Sequence, residues 1–258
     1  MRHALAPSVP EPARPGAAAQ RLPADLSSSD VRDALQAGKR TLIVPVGGTE
    51  QSGPHLALGK HNVRAQVLAG RIAAELGNAL VAPVVAYVPE GPHPPRPPST
   101  CAMPARCPFP TAPSAACSTA PRARPRSTVS PTSSSSATTA ATRPACRPWP
   151  PLNRDWKAGP ARAHHIAAYY DAAQAPFAKL LRARFPSDAQ IGSHAGAADT
   201  ALMLAVDPSK VWPDKAMAQA AGVSGDPRRA SAELGQLGVD LIVRQSVAAI
   251  RQATAAPR

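Results

Sequence analysis

Residues 92–151 constrain this 258-residue chain more than any other feature, because sixty consecutive positions there lack Leu, Ile, Gly, Asn, Gln, Asp, Glu, Lys and Tyr. A segment so poor in large aliphatic side chains cannot bury enough apolar surface to offset the entropy of ordering it. The core must come from the two flanks, and the composition predicts irregular coil between them, with no strand near 131–136. The segment also holds sixteen of the chain's 32 prolines. Ordinary Pro/Ser-rich linkers draw on Gly, Gln, Glu or Lys as well. A vocabulary confined almost entirely to Pro, Ala, Ser, Thr, Arg and Cys is what a GC-rich gene yields in the wrong frame.

The frame can be tested on paper. Ala137-Thr138-Thr139-Ala140-Ala141-Thr142 can be encoded GCG ACC ACG GCG GCT ACC. Begun one nucleotide earlier, on a G that a serine codon supplies, the run becomes GGC GAC CAC GGC GGC TAC. It then spells Gly-Asp-His-Gly-Gly-Tyr. The same offset on Pro131 to Ser136 permits Asp-Ile-Val-Leu-Ile, a buried strand leading into that loop. One offset giving both a strand and a metal-type loop predicts a frameshift across 92–151.

Two compositional signals lose their force once this segment is set apart. The net charge of +13 suggests a polyanion partner, but seven of the arginines and no acidic residue lie in 92–151. With 3% aromatics for base stacking and no nucleic-acid motif, the chain reads as no nucleic-acid binder. All four cysteines (Cys101, Cys107, Cys117, Cys146) fall in the same stretch at spacings that match no zinc pattern. No apolar run is long enough for a bilayer, so no membrane association is expected. Residues 1–24 read as a disordered Pro/Ala-rich lead without the apolar stretch of a signal peptide. The expected location is cytoplasmic, or periplasmic if a signal peptide lies upstream.

The flanks read as a single α/β domain over 25–258, interrupted at 92–151. Ser28 or Ser29 can cap a helix over 30–37. Thr41 to Val46 reads as a buried strand closed by Gly47-Gly48. Asn62 can cap a helix bearing Leu68, Ile72 and Leu76 and stopping at Gly77, before a second apolar strand from Ala79 to Val88. This βαβ unit has uniformly apolar strands, the pattern of a parallel sheet covered on both faces. Beyond the interruption, 161–168 is a candidate strand and 197–205 a candidate helix. Asp226-Pro227 reads as the start of the last long helix.

The sharpest motif runs from Gly47 to Asn62, GGTEQSGPHLALGKHN, at the C-terminal end of the first strand, where open α/β sheets place ligands. Glu50, His55 and His61 are the residue types that bind Zn²⁺ or Mn²⁺ in hydrolases. Spacing alone leaves two readings: a metal loop, or a turn capped by Glu50 beside exposed histidines. The second block is Ser193-His194-Ala195-Gly196-Ala197-Ala198-Asp199-Thr200-Ala201-Leu202-Met203-Leu204.

Together these blocks resemble the creatininase family of amidohydrolases, over about 25–91 and 152–252. The first is similar to the pattern P-x-G-[ST]-x-E-Q-H-G-P-H-L-P-x-x-x-D, and the second to H-[AG]-G-x-x-E-T-S-L-M-L. Val223-Ser224-Gly225-Asp226-Pro227 also looks like the family. The resemblance implies a three-layer α-β-α sandwich with a mainly parallel sheet, its central part disrupted here. It implies a homo-oligomer that hydrolyses a small or cyclic amide C–N bond with divalent metal, Zn²⁺ or Mn²⁺. It makes Glu50 and, as a substitute for a bridging Asp, His61 the metal ligands. It makes His194 the active-site acid/base, and Asp199 stands where the family has a catalytic Glu. Ser52 replaces a metal-binding His, and a Gly-[DN]-His-type third block survives only in the shifted frame over 137–142. These departures imply a metal complement cut to one or none and impaired activity. The alternatives from other classes are a catalytically dead binding or structural protein of this fold, and a basic nucleic-acid binder.

Overall fold

The structure, a computed structural model, describes residues 26–88, the backbone of 127–131, residues 153–154 and 156, and 158–255. The lead 1–24, the cysteines and the third-block positions 137–142 lie outside the described residues. Strands β1 (Thr41–Ile43), β2 (Ala79–Val81), β3 (Ser127–Pro131) and β4 (Ala163–Ile166) form one sheet in the order β2-β1-β3-β4, every neighbouring pair parallel. The fold is α/β, with the parallel sheet that the apolar strands predict.

Strand β3 is a correction to the sequence reading. Composition predicts no regular structure in 92–151, yet Thr41 to Ile43 of β1 pair with Ser127 to Val129, and Thr128 to Pro131 pair with β4. The slot between β1 and β4 offers unpaired N–H and C=O groups on both sides, and any backbone that fills it satisfies them. Thr128 and Val129 are β-branched and tolerate the extended conformation. Pro131, which has no N–H to give, sits at the strand's end.

Helix α1 (Ser28–Gln36) is capped by Ser27, in a capping box with Asp30, one residue before the expected cap. Helix α2 (Lys60–Leu76) crosses from β1 to β2 and ends at Gly77, whose left-handed φ of 77° is cheap only for glycine. The opposite end differs from the expectation: α2 begins at Lys60, two residues before Asn62. After β4 come α3 (Ala168–Ala173), α4 (Ala175–Leu181), α5 (Asp188–Ile191), α6 (Ala197–Val206) and the long α7 (Ala232–Ala255). Asp226 caps a single 3-10 turn, Pro227–Arg229, instead of α7.

The core gathers where Ile43 and Val81, paired in register, meet Leu68 and Ile72 of α2. Ile166, Tyr169, Phe177, Leu202 and the α7 stripe Val239, Ile242, Val243, Val247 and Ile250 complete it. Helix α7 can lie this close to α6 because a Cβ at Gly235 would come 1.8 Å from the carbonyl oxygen of Ala201. Among the described residues no helix is long and apolar enough to cross a membrane.

The strand order positions the site. From β1 the chain moves outward to β2, then crosses back to β3 on the other side of β1. In open α/β sheets such a reversal is where ligands bind, outside the C-terminal ends of the strands. The first-block loop leaves β1 there.

Candidate functional site

The loop over 47–59 is held against α2 and the chain after α6 by backbone contacts. Gly48 N–H donates to Asn62 Oδ1 at 2.8 Å, so Asn62 ties the loop to the helix instead of capping it. A Cβ at Gly47 would stand 2.1 Å from that same oxygen, which is why the position needs glycine. Leu56 bridges Val211, and Trp212 N–H donates to the His55 carbonyl at 2.9 Å. The second block is pinned likewise: Ser224 N–H donates to the His194 carbonyl at 2.7 Å. Between His194 and α6 the chain turns through Ala195 at φ 51°, a left-handed conformation uncommon for alanine.

These constraints bring together all four residues singled out in the sequence. His61 Nε2 lies 2.7 Å from Glu50 Oε1, and His194 Nδ1 lies 3.7 Å from the same oxygen. Asp199, at the first turn of α6, faces the same cluster across the interface with α2. It does not stand free for proton transfer. Its Oδ2 accepts from Lys60 Nζ at 2.7 Å and from Ala195 N–H at 2.9 Å, and its Oδ1 accepts from Arg64 at 3.0 Å.

Sequence reasoning missed Lys60 and Arg64. Lys60 is 0% exposed and its Nζ also stands 3.9 Å from Glu50 Oε1. Arg64, likewise buried, donates to His61 Nδ1 at 2.9 Å. The available signal was helical phase: positions 60, 61 and 64 share one face, so cations beside His61 on α2 must enter the same crevice. His55 is buried next to the cluster, with Nε2 3.0 Å from Thr200 Oγ1. Ser52, at the position where a metal-binding His is implied, is buried with its hydroxyl oxygen unpartnered.

The electrostatics follow from these contacts. Burial would raise the Asp199 carboxyl, but Lys60 and Arg64 outweigh it and hold the group well below the usual carboxylate range. Glu50 is likewise raised by burial and lowered more by His61, Lys60 and His194. His61 is pushed down to about 4, chiefly by burial and then by the neighbouring Lys60 charge. Because its folded value is depressed from the ordinary 6.5, the neutral ring contributes stability that is present above pH 6.5 and lost as pH falls toward 4. A shift of this size corresponds to about 3 kcal/mol. Denaturant melts at pH 7.5 and pH 4.5 should therefore differ strongly, and His61→Gln should flatten that difference. An unchanged pH dependence in His61→Gln would remove His61 as its source.

The donor set decides whether the described residues fit a divalent metal. Arginine can only donate, so His61 Nδ1 must be the acceptor and Nε2 carries the hydrogen given to Glu50. Neither ring nitrogen of His61 keeps a lone pair for a metal. Both oxygens of Asp199 are engaged. Within the cluster Glu50 Oε1 and His194 Nδ1 remain, two donors where a catalytic zinc takes three; Lys60 competes for the first of them, and the unpartnered His55 Nδ1 faces Gly53. Among the described residues no group of three or more His, Cys, Asp or Glu is placed to hold a metal ion. The described residues do not fit the metal centre.

The comparisons with known proteins bear on the scaffold. The profile of the creatininase family, described as creatinine amidohydrolase, matches residues 24–107 and 152–250. The chain belongs to the creatininase family. Its class is therefore that of an amidohydrolase enzyme, and both sequence blocks lie inside the matched ranges. Among solved structures, a manganese creatininase is similar at 19% identity and TM-score 0.65, covering 91% of this chain and 99% of that one. A Zn-Zn type creatininase variant gives 20% identity and TM-score 0.60, with 91% and 98% covered. A putative creatinine amidohydrolase from Bacteroides fragilis NCTC 9343 gives 16% identity and TM-score 0.56, with 84% and 91% covered. At these identities the likeness is one of fold. No curated protein matches the chain.

Proposed function

We propose that this creatininase-family chain binds a small or cyclic amide beside His194 and Glu50, and that its hydrolysis of that amide is impaired. One observation carries the reading. His194 Nε2 lies 2.9 Å from the Gln51 carbonyl, which can only accept, so Nε2 carries the hydrogen and Nδ1 presents a lone pair. That Nδ1 is buried and has no hydrogen-bond partner. A ring oriented by a carbonyl at one nitrogen and free at the other is the arrangement of a general base.

In amide hydrolysis the water oxygen adds to the carbonyl carbon, and Nδ1 takes the water's proton. The C–N bond then breaks as that proton passes to the leaving nitrogen. What the site lacks is a cation free to polarise the carbonyl and acidify the water, since Lys60 is enclosed and paired. A lone general base contributes only about 10²–10⁴-fold. The divalent metal that the family resemblance implies is taken as lost in this chain.

Creatinine serves as the probe, with binding followed by calorimetry and product formation by chromatography. Saturable binding is expected, weakened roughly tenfold in His194→Ala by loss of one buried hydrogen-bond acceptor. Turnover should fall far below the ordinary enzyme range of about 1–10³ s⁻¹. Absence of saturable binding to creatinine and to related lactams would overturn the substrate class. Turnover in the ordinary range would overturn the impairment.

A further inference from the structure

We infer that Lys60 and Arg64 replace a divalent cation in this site, so that the cluster is charge-balanced and held together without metal. Two carboxylates, Glu50 and Asp199, face two enclosed cations, and the side chains are 12%, 18%, 0% and 6% exposed in that order. The four formal charges sum to zero. A divalent ion added among them would leave two positive charges uncompensated in a poorly solvated space, which is costly. The sequence between 92 and 151 contributes no Asp or Glu that could offset that excess.

The hydrogen bonds make the same case independently of charge. Lys60 Nζ occupies the approach to both carboxylates, 2.7 Å from Asp199 Oδ2 and 3.9 Å from Glu50 Oε1. Arg64 closes the ring by bonding Asp199 Oδ1 and His61 Nδ1 together. The chain of contacts Glu50–His61–Arg64–Asp199–Lys60 thus links the loop after β1, the start of α2 and the start of α6. It joins Lys60 and Arg64 of α2 to Asp199, 139 and 135 positions away in sequence. A metal clip performs that joining in other sites by binding ligands from separate elements. Here two cationic side chains from one helix do it.

The inference goes beyond the substrate reading, and its test uses no substrate, so either can fail alone. The purified full chain, dialysed against Zn²⁺ or Mn²⁺ and then buffer, should retain well under one metal per chain by mass spectrometry. Its Tm should not move with chelator or with added Zn²⁺ or Mn²⁺. A metal bound at a hundredfold excess over its Kd would raise Tm by roughly 5–10 °C in a protein of this size. Lys60→Ala, which uncovers both carboxylates, should melt lower and be rescued by Mn²⁺ or Zn²⁺ through that kind of shift. Lys60→Arg, which keeps the charge, should stay metal-free and unresponsive. Stoichiometric metal in the unaltered chain would overturn the inference whether or not Lys60→Ala folds. So would a folded Lys60→Ala that neither binds nor responds to either metal.

Discussion

Replacing Asp199 with Asn is expected to lower the stability of the chain by about 3–5 kcal/mol, the range for breaking a buried ion pair at one partner. The amide keeps the shape and one acceptor, but its NH₂ faces either Lys60 or Arg64, Arg64 loses its carboxylate, and Lys60 is left with Glu50 alone, 3.9 Å away. Lys60 has no exposure through which water could compensate. Where the NH₂ takes the place facing Lys60, the acceptor for Ala195 N–H, which holds the strained turn before α6, is lost as well. Guanidinium melts of the single variants Asp199→Asn and Lys60→Met, and of the double variant, measure the effect as a cycle. The double variant should be less damaged than the two single losses added, because Lys60 no longer stands unpaired and the cluster's net charge returns to zero, although Arg64 still lacks its carboxylate. A single-variant loss below about 1 kcal/mol, in the range of exposed pairs, would place this ion pair in solvent instead of the core.

Much of this cluster is legible in the amino-acid sequence. Glu50, His61, His194 and Asp199 stand out because family-like motifs fix their types and order, and all four meet in one crevice. Lys60 and Arg64 do not, because a lysine and an arginine in the first turns of a helix normally face water. Only the approach of α6, more than a hundred residues later, turns that face inward. The helix stop at Gly77 is legible from its own residue. Helix starts are less so: Ser27, Ser28 and Ser29 are equally able to cap, and Asn62 finds a better partner in the Gly48 amide than in its own helix. Strand β3 is illegible for a different reason. Its place is dictated by the open edges of β1 and β4 and not by its own side-chain pattern.

That mismatch between slot and sequence leads to the prediction with the largest expected gain. Restoring the frame should need one small indel near codon 91 and a compensating one near codon 151. The alternative frame should then run without stops and encode Gly-Asp-His-Gly-Gly-Tyr over the positions now read as 137–142. The strand before it, Asp-Ile-Val-Leu-Ile, read over 131–136, is expected to take the place of Ser127–Pro131 between β1 and β4 and to bring four large apolar side chains there. Each contributes about 1.5–3 kcal/mol when fully buried, so even the low end totals roughly 6 kcal/mol. For a chain of this length that is a rise in Tm of more than about 10 °C. The restored loop also supplies an Asp and a His, so the charge balance set by Lys60 and Arg64 belongs to the present chain alone, and the gain in stability is measured on metal-free protein. Stop codons in the alternative frame, or a restored chain that melts no higher than the present one, would end the frameshift reading.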